Sequence, residues 1–248
     1  MHGFGEMLKD YLEYYKISQT DFAERLNISQ KHMNEILNEN SQISENLILA
    51  ISLLTNIDPK LIILAENKKN MYYYLNNKFK TEKEINNFLK SFYLDEMENN
   101  KWIKLKDKNS YVQNALDLLD YLNIRNFDIL ESYMNRRILY KKSDNANKMK
   151  IFLWIKRCDY LLNNQEVEDY NSSNIEKLLS DLKTERNNKF NAESIIKIFN
   201  KNGLYLIIED ALKSTKVRGC MMVKGKNPTI YLTKYNKEKA SFYYALYH

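Results

Sequence analysis

The chain of 248 residues contains only 5 glycines and 2 prolines, and residues 6–202 hold no glycine and a single proline. Many-stranded sheets need glycine at their turns and phosphate-cradling loops are built from it, so both are excluded over this span. With 44% hydrophobic and 28% charged residues and a net charge of +6, the composition is that of a folded protein. We therefore predict a mainly α fold: an N-terminal five-helix domain, a helical middle and a small α+β C-terminal segment with a β-hairpin.

The first part of the chain, residues 5–66, is predicted to form five short helices, because helix-capping residues recur before its apolar stretches. A serine or aspartate at such a position accepts a hydrogen bond from a backbone N–H of the first turn, and proline is favoured at the first helical position. The predicted caps are Ser18, Ser29, Ser44 and Asp58, the last followed by Pro59.

Residues 19–38 fit the pattern of a helix-turn-helix. Apolar residues stand where the two helices face each other, and Asn27 stands at the tight turn, which needs a residue tolerant of positive φ. The second helix is predicted to expose amide side chains, and asparagine and glutamine can bond adenine edges in the major groove. The predicted DNA-binding residues are Gln19, Ser29, Gln30, Lys31, His32, Asn34 and Asn38.

The wider N-terminal stretch also resembles a family. The segments 7–12, 17–30 and 43–59 are similar to the Cro/C1-type (Xre) domain, particularly that of HigA-like antitoxins. The resemblance implies a sequence-specific DNA-binding transcriptional regulator, antitoxin-like or phage-repressor-like, over residues 1–70. It implies double-stranded DNA as a partner, a homodimer, and a toxin or repressor protein as a further partner.

The charge of this segment qualifies that expectation. Residues 1–70 hold seven lysines and arginines against ten acidic residues, a net charge of −3. Counterion release therefore contributes little, and we expect modest DNA affinity per monomer, raised by dimerisation over two half-sites. Two alternatives stay open: a helical bundle with a merely polar surface, and a protein-interaction module that does not bind DNA.

The middle, residues 71–165, is predicted to be a helical connecting region without site chemistry. The polar stretch 67–77 is the predicted linker and residues 141–150 a predicted loop. Trp102 and Trp154 are predicted to lie in the core. The basic pairs Arg136-Arg137 and Lys141-Lys142 are predicted to be solvated helix faces. No apolar run is long enough for a membrane span and no signal peptide is visible, so we expect a cytoplasmic protein with reduced cysteines.

The pattern of the sequence changes in the last segment, residues 166–248, from helix to strand and back. Residues 200–203 end in glycine and predict a helix stop, and the apolar run 204–209 has the length of a strand. The runs 218–223 and 229–233, joined by a connection with glycine and proline, predict a hairpin. From residue 236 the pattern returns to helix.

This segment resembles the ImmA/IrrE family of metallopeptidases in the stretches 213–220, 230–233 and 242–248, as a truncated domain. In that family a His-Glu-x-x-His helix binds Zn²⁺, and the glutamate acts as general base. Only His248, at the position of the first histidine, is present, so the metal site is incomplete and we predict no catalytic residue and no cofactor; zinc is expected only if the chain continues beyond His248. The alternative is that this chain is the N-terminal part of a zinc metallopeptidase that regulates by cleaving a repressor.

Overall fold

The computed structural model describes residues 3–137, 147–233 and 239–247. Over these residues the chain forms thirteen α-helices and one three-stranded sheet near the C-terminus, which confirms the mainly α fold with a small α+β segment. None of the helices within the described ranges is long and apolar enough to cross a bilayer. The helices are α1 (Phe4–Tyr14), α2 (Gln19–Arg25), α3 (Gln30–Leu37), α4 (Glu45–Thr55), α5 (Pro59–Lys78), α6 (Glu82–Lys90), α7 (Leu94–Asn99), α8 (Tyr111–Leu122), α9 (Leu130–Arg137), α10 (Lys148–Leu162), α11 (Ile175–Arg186), α12 (Ala192–Lys201) and α13 (Lys239–Tyr247).

The described chain divides into two compact units. The first comprises the residues up to Leu89 together with Leu105–Asp117, and the second comprises Lys90–Lys104 together with the residues from Leu118 onward. Of the predicted domain boundaries, residue 70 lies inside α5, and residue 165 lies just beyond the end of α10. The division into three domains stays a prediction.

The predicted linker at residues 67–77 is wrong, because these residues continue α5 without a break. Most of their polar residues lie on the exposed face of the helix, Lys69 is buried in an ion pair with Glu66, and Ile62, Met71 and Leu75 keep a buried apolar face in helical spacing. The predicted loop 141–150 is wrong at its end, because Asn147 caps α10 and helix begins at Lys148. Residues 138–146, including Lys141 and Lys142, lie outside the described residues, whereas Arg136 is exposed on α9.

The first five helices enclose one apolar core. The predicted caps are all present: Ser18, Ser29, Ser44 and Asp58 each accept a backbone N–H of the following helix. Gly5 allows α1 to approach α3, since a Cβ at this position would lie 2.4 Å from the carbonyl oxygen of Ile36. The core consists of Phe4, Leu8, Leu12, Phe22, Ala23, Leu26, Met33, Ile36, Leu37, Leu47, Ile48, Ile51 and Ile62.

The first three helices of this glycine-poor chain are each followed by a left-handed residue that is not glycine. Lys16, Asn27 and Glu39 have φ of 55°, 54° and 62° and follow α1, α2 and α3. Each helix closes with paired backbone bonds of the Schellman type; after α1, for example, the N–H of Lys16 donates to the carbonyl of Glu13 and that of Ile17 to Leu12. A left-handed residue with a side chain is strained by about 1–2 kcal/mol, so these stops are made at a cost that glycine would avoid.

The C-terminal sheet contains β1 (Tyr205–Ile208), β2 (Gly219–Lys224) and β3 (Asn227–Leu232) in the order β1-β3-β2. The predicted hairpin is confirmed: β2 and β3 are antiparallel, and Gly225 in their connection has φ of 64°. β1 pairs with β3 in parallel. The sheet packs against helices through a second core of Leu178, Leu182, Ile195, Phe199, Leu204, Leu206, Leu232, Phe242 and Tyr243.

The two tryptophans are buried, as predicted. Nε1 of Trp154 donates to the carbonyl oxygen of Glu209 at 3.0 Å, and Nε1 of Trp102 donates to Oε1 of the same residue at 3.0 Å. Beside them the hydroxyl of Tyr231 donates to Oδ1 of Asp159 at 2.7 Å, and burial, reinforced by that carboxylate, raises the pKa of Tyr231. Both indole N–H groups are therefore satisfied inside the second unit.

Candidate nucleic-acid interface

Residues close in sequence determine where α2 and α3 begin and how the chain turns between them. At the start of α2, the N–H of Asp21 donates to Oγ of Ser18 at 3.1 Å, and at the start of α3 the N–H of His32 donates to Oγ of Ser29 at 3.1 Å. Between the helices, the left-handed Asn27 turns the chain as its position in the sequence predicted. The helices then pack through side chains of their inner faces, which are Phe22, Ala23, Leu26, Met33, Ile36 and Leu37.

The outer face of α3 carries the predicted reading residues. Of the seven predicted DNA-binding residues, six are exposed and His32 is half-buried. The side chains of this face are connected to one another: Nδ2 of Asn38 donates to Oδ1 of Asn34 at 2.8 Å. At the other end of the helix, Nε2 of Gln30 donates to Oγ1 of Thr20 at 3.1 Å. The structure therefore gathers six of the seven on or beside one helix, with Gln19 at the start of α2.

Three further residues at this face were not predicted from the sequence. Nζ of Lys9 on α1 donates to Oδ1 of Asn38 at 2.9 Å, a contact between residues distant in sequence that no local pattern reveals. Thr20 orients Gln30, as described above. Glu35 lies 4.0 Å from Nζ of Lys31 and 3.8 Å from Nδ1 of His32. Only Glu35 could have been found in advance, because its spacing from Lys31 is that of a helical ion pair.

The electrostatics of this face are balanced rather than strongly basic. The carboxylate of Glu35 stands between the cation of Lys31 and the imidazole of His32. The side chains of Lys31, His32 and Glu35 are all partly exposed, so water and salt screen both pairs. The two pairs therefore contribute little to the free energy of unfolding. The side chain of Lys31 is 87% exposed, so its ammonium group can contact an anion.

A second exposed feature of the first unit is apolar. Leu49 and Leu53, four residues apart on α4, are 60% and 83% exposed. Leu61 and Leu64, three residues apart on α5, are 51% and 42% exposed. Each pair lies on one face of its helix. We call these four leucines the α4–α5 surface.

The predicted metal ligand His248 lies outside the described residues, as does His2. Among residues 3–137, 147–233 and 239–247, no three histidine, cysteine, aspartate or glutamate side chains are grouped so that they could hold a metal ion. Cys158 and Cys220 are free thiols, and burial raises the pKa of Cys220 to about 12.

This chain matches no family model, no curated protein and no solved structure. The likeness to Xre and ImmA/IrrE domains therefore remains a resemblance carried by motifs in the sequence. What the structure adds is the arrangement of α2 and α3 and the exposure of the side chains between Gln30 and Asn38.

Proposed function

We propose that this protein is a sequence-specific DNA-binding transcriptional regulator, antitoxin-like or phage-repressor-like, that acts in the cytoplasm. The observation that carries the proposal is the outer face of α3, where Gln30, Lys31, Asn34 and Asn38 are exposed on the second helix of a capped helix-turn-helix. A toxin or repressor protein as a further partner rests on the resemblance alone.

The chemistry of this face suits base reading in the major groove. Asparagine and glutamine present a donor and an acceptor side by side, which matches adenine N7 and N6, and lysine donates to guanine O6 and N7. The bond between Asn38 and Asn34 leaves further donors and acceptors of both amides for a base edge. Ser29 and Gln19, at the starts of two helices, are placed to contact phosphates.

A homodimer follows from the weakness of the electrostatic contribution. Since residues 1–70 carry a net charge of −3, each copy gains little from the phosphate backbone. Two copies on half-sites one helical turn apart would double the base contacts. The α4–α5 surface, which exposes leucines on the same five-helix bundle, is the surface we assign to the second copy.

The assignment of the reading face is tested by the double variant Lys31→Ala/Asn34→Ala. We expect it to lose about 1–3 kcal/mol of specific binding free energy for each base contact removed. The measurement is an electrophoretic shift of DNA from upstream of the protein's own gene. Lys83→Ala/Asn86→Ala, a matched change of exposed residues with the same spacing on α6, should bind as the unmodified protein does. Equal binding by both double variants would show that α3 does not read DNA.

A protein-interaction module is the second candidate, and the acidic charge together with the α4–α5 surface favours it. It predicts no DNA shift even at low salt, where electrostatic binding is strongest. The same shift assay, titrated with salt, therefore separates the two functions.

A further inference from the structure

A cleft of about 420 Å³ opens in the second unit, apart from the α2–α3 pair in sequence and in fold. Its lining combines cations with aromatic rings. The side chains that matter for its chemistry are Lys101, Trp102, Lys104, Arg157 and Tyr160, with Glu98 as the one carboxylate of the lining. The volume falls within the range of small-molecule sites.

Whereas Trp102 is buried, the exposed aromatic ring of the cleft is that of Tyr160 near the end of α10. Its side chain is 62% exposed, although a tyrosine ring is largely apolar and is usually covered. The guanidinium carbon of Arg157 lies 5.6 Å from the centre of this ring, within the range of a cation–π contact. An exposed ring beside a cation is the platform on which proteins stack the bases of nucleic acids.

An ion pair with Glu209 fixes the position of Arg157. Its Nε donates to Oε1 of Glu209 at 3.3 Å, and the same oxygen accepts the indole N–H of Trp102. Both members of the ion pair are largely buried, with 17% and 16% of the side chains exposed. One carboxylate therefore positions two lining residues. Among the described residues, the remaining N–H donors of the guanidinium form no further hydrogen bond and can donate to an anion.

Lys101 and Lys104 supply positive charge at the exposed edge of the cleft. Lys101 follows α7 with a left-handed φ of 58°, and Lys104 stands three residues later on the same rim. Within the described residues, the ammonium group of neither lysine forms a hydrogen bond or an ion pair. Exposed, uncommitted ammonium groups beside a stacking ring are suited to phosphate oxygens.

We propose that this cleft binds a nucleoside phosphate, either as a free nucleotide or as one unit of a single-stranded nucleic acid. The base stacks on Tyr160, and Lys101, Lys104 and Arg157 contact the phosphate. The site does not depend on the proposed reading of duplex DNA by α3, because it lies in the other unit.

The test uses the full chain and two probes, adenosine monophosphate and a fluorescein-labelled twelve-residue oligothymidine, in equilibrium titrations. Tyr160→Ala should weaken binding about tenfold or more, whereas Tyr160→Phe, which keeps the ring, should bind as the unmodified protein does. Lys101→Gln/Lys104→Gln should weaken binding and reduce its salt dependence. The matched controls, Tyr244→Ala and Lys177→Gln/Lys183→Gln, change exposed residues elsewhere in the same unit and should have no effect.

The two probes distinguish the sources of the ligand. Binding of the oligothymidine alone identifies nucleic acid, and binding of adenosine monophosphate at equal or higher affinity identifies a free nucleotide. The Lys31→Ala/Asn34→Ala protein should bind both probes unchanged, so failure of the α3 proposal leaves this one testable. The inference is overturned if the unmodified protein binds neither probe, or if Tyr160→Ala and the lysine variant bind as tightly as it does.

Discussion

The five N-terminal helices and the C-terminal sheet segment reach a stable core by opposite routes. In the first, α2 to α5 are each capped by the residue before them, and α2 packs on α3 and α4 on α5, while α1 contacts α3 and α5. In the second, β1 pairs with β3 while β2 and its turn intervene, so the core forms only when distant segments meet. The cap of α3 and its pairing with α2 therefore depend on residues close in sequence, whereas the sheet depends on pairing between distant segments.

The two regions also differ in what they bury. The N-terminal core cluster consists of aliphatic, methionine and phenylalanine side chains. The second unit also buries tryptophan and tyrosine rings. The polar atoms of Trp154 and Tyr231 are hydrogen-bonded, whereas the hydroxyl of Tyr243 has no hydrogen-bond partner among the described residues. We therefore expect loss of volume to dominate the effect of core substitutions in the first region and loss of hydrogen bonds to matter in the second.

The largest effect is expected from Phe22→Ala. The ring is fully buried in the N-terminal core, and its removal leaves a cavity, so we expect a loss of about 3–5 kcal/mol in the free energy of unfolding. Urea unfolding followed by circular dichroism measures it. Tyr14→Ala, where the ring is 79% exposed, is the control and should change stability by about 0.5 kcal/mol or less. A loss below about 1 kcal/mol for Phe22→Ala would contradict the packing described for α2.

An intermediate effect is expected from Tyr231→Phe. The substitution keeps the ring but removes the hydroxyl that donates to Asp159, and a hydrogen bond to a charged group contributes about 1.5–3 kcal/mol. Denaturant unfolding at neutral pH measures the loss. If Tyr231→Phe is as stable as the unmodified protein, this bond does not stabilise the second unit.

The raised pKa of Tyr231 predicts that the free energy of unfolding depends on pH. Its folded-state pKa is raised above the ordinary value of 10, so above pH 10 the unfolded chain releases a proton that the folded chain retains. Stability from this group is complete below pH 10 and falls as the pH rises further. Tyr231→Phe should therefore show a shallower alkaline loss of stability than the unmodified protein.

The smallest effect is a gain in stability from Lys16→Gly. The left-handed backbone at the end of α1 strains any residue with a Cβ, so we expect glycine to raise the free energy of unfolding by about 0.5–1 kcal/mol. Lys16→Ala keeps the Cβ and should bring no gain. Thermal unfolding of the two variants decides between them, and equal stability would show that the helix stop is not strained.

Local signals explain why much of the N-terminal structure could be predicted from the sequence. Ser18, Ser29 and Ser44 act on the helix that follows each of them, and Asn27 acts within its own turn. The hairpin was predicted for the same reason, because Gly225 lies between strands adjacent in the chain.

The rest depends on contacts between distant residues. The parallel pairing of β1 with β3, and the hydrogen bond from Lys9 to Asn38 on the proposed reading face, leave no local trace in the sequence. The composition of residues 67–77 misled the prediction, because the asparagines lie on the solvent face of α5 and Lys69 is buried in an ion pair with Glu66, rather than forming a linker. The cleft could not be predicted from the sequence either, because Arg157 and Lys101 are distant in sequence and line the same cleft only in the folded chain.

One competition measurement tests directly whether this protein recognises a specific DNA sequence. The full-length protein is titrated against the DNA upstream of its own gene and against a shuffled fragment of equal length and composition, both at physiological salt. We predict a preference of at least about a thousandfold for the upstream fragment. Equal affinity for the two fragments, or binding to neither, would show that the protein is not a sequence-specific DNA-binding protein.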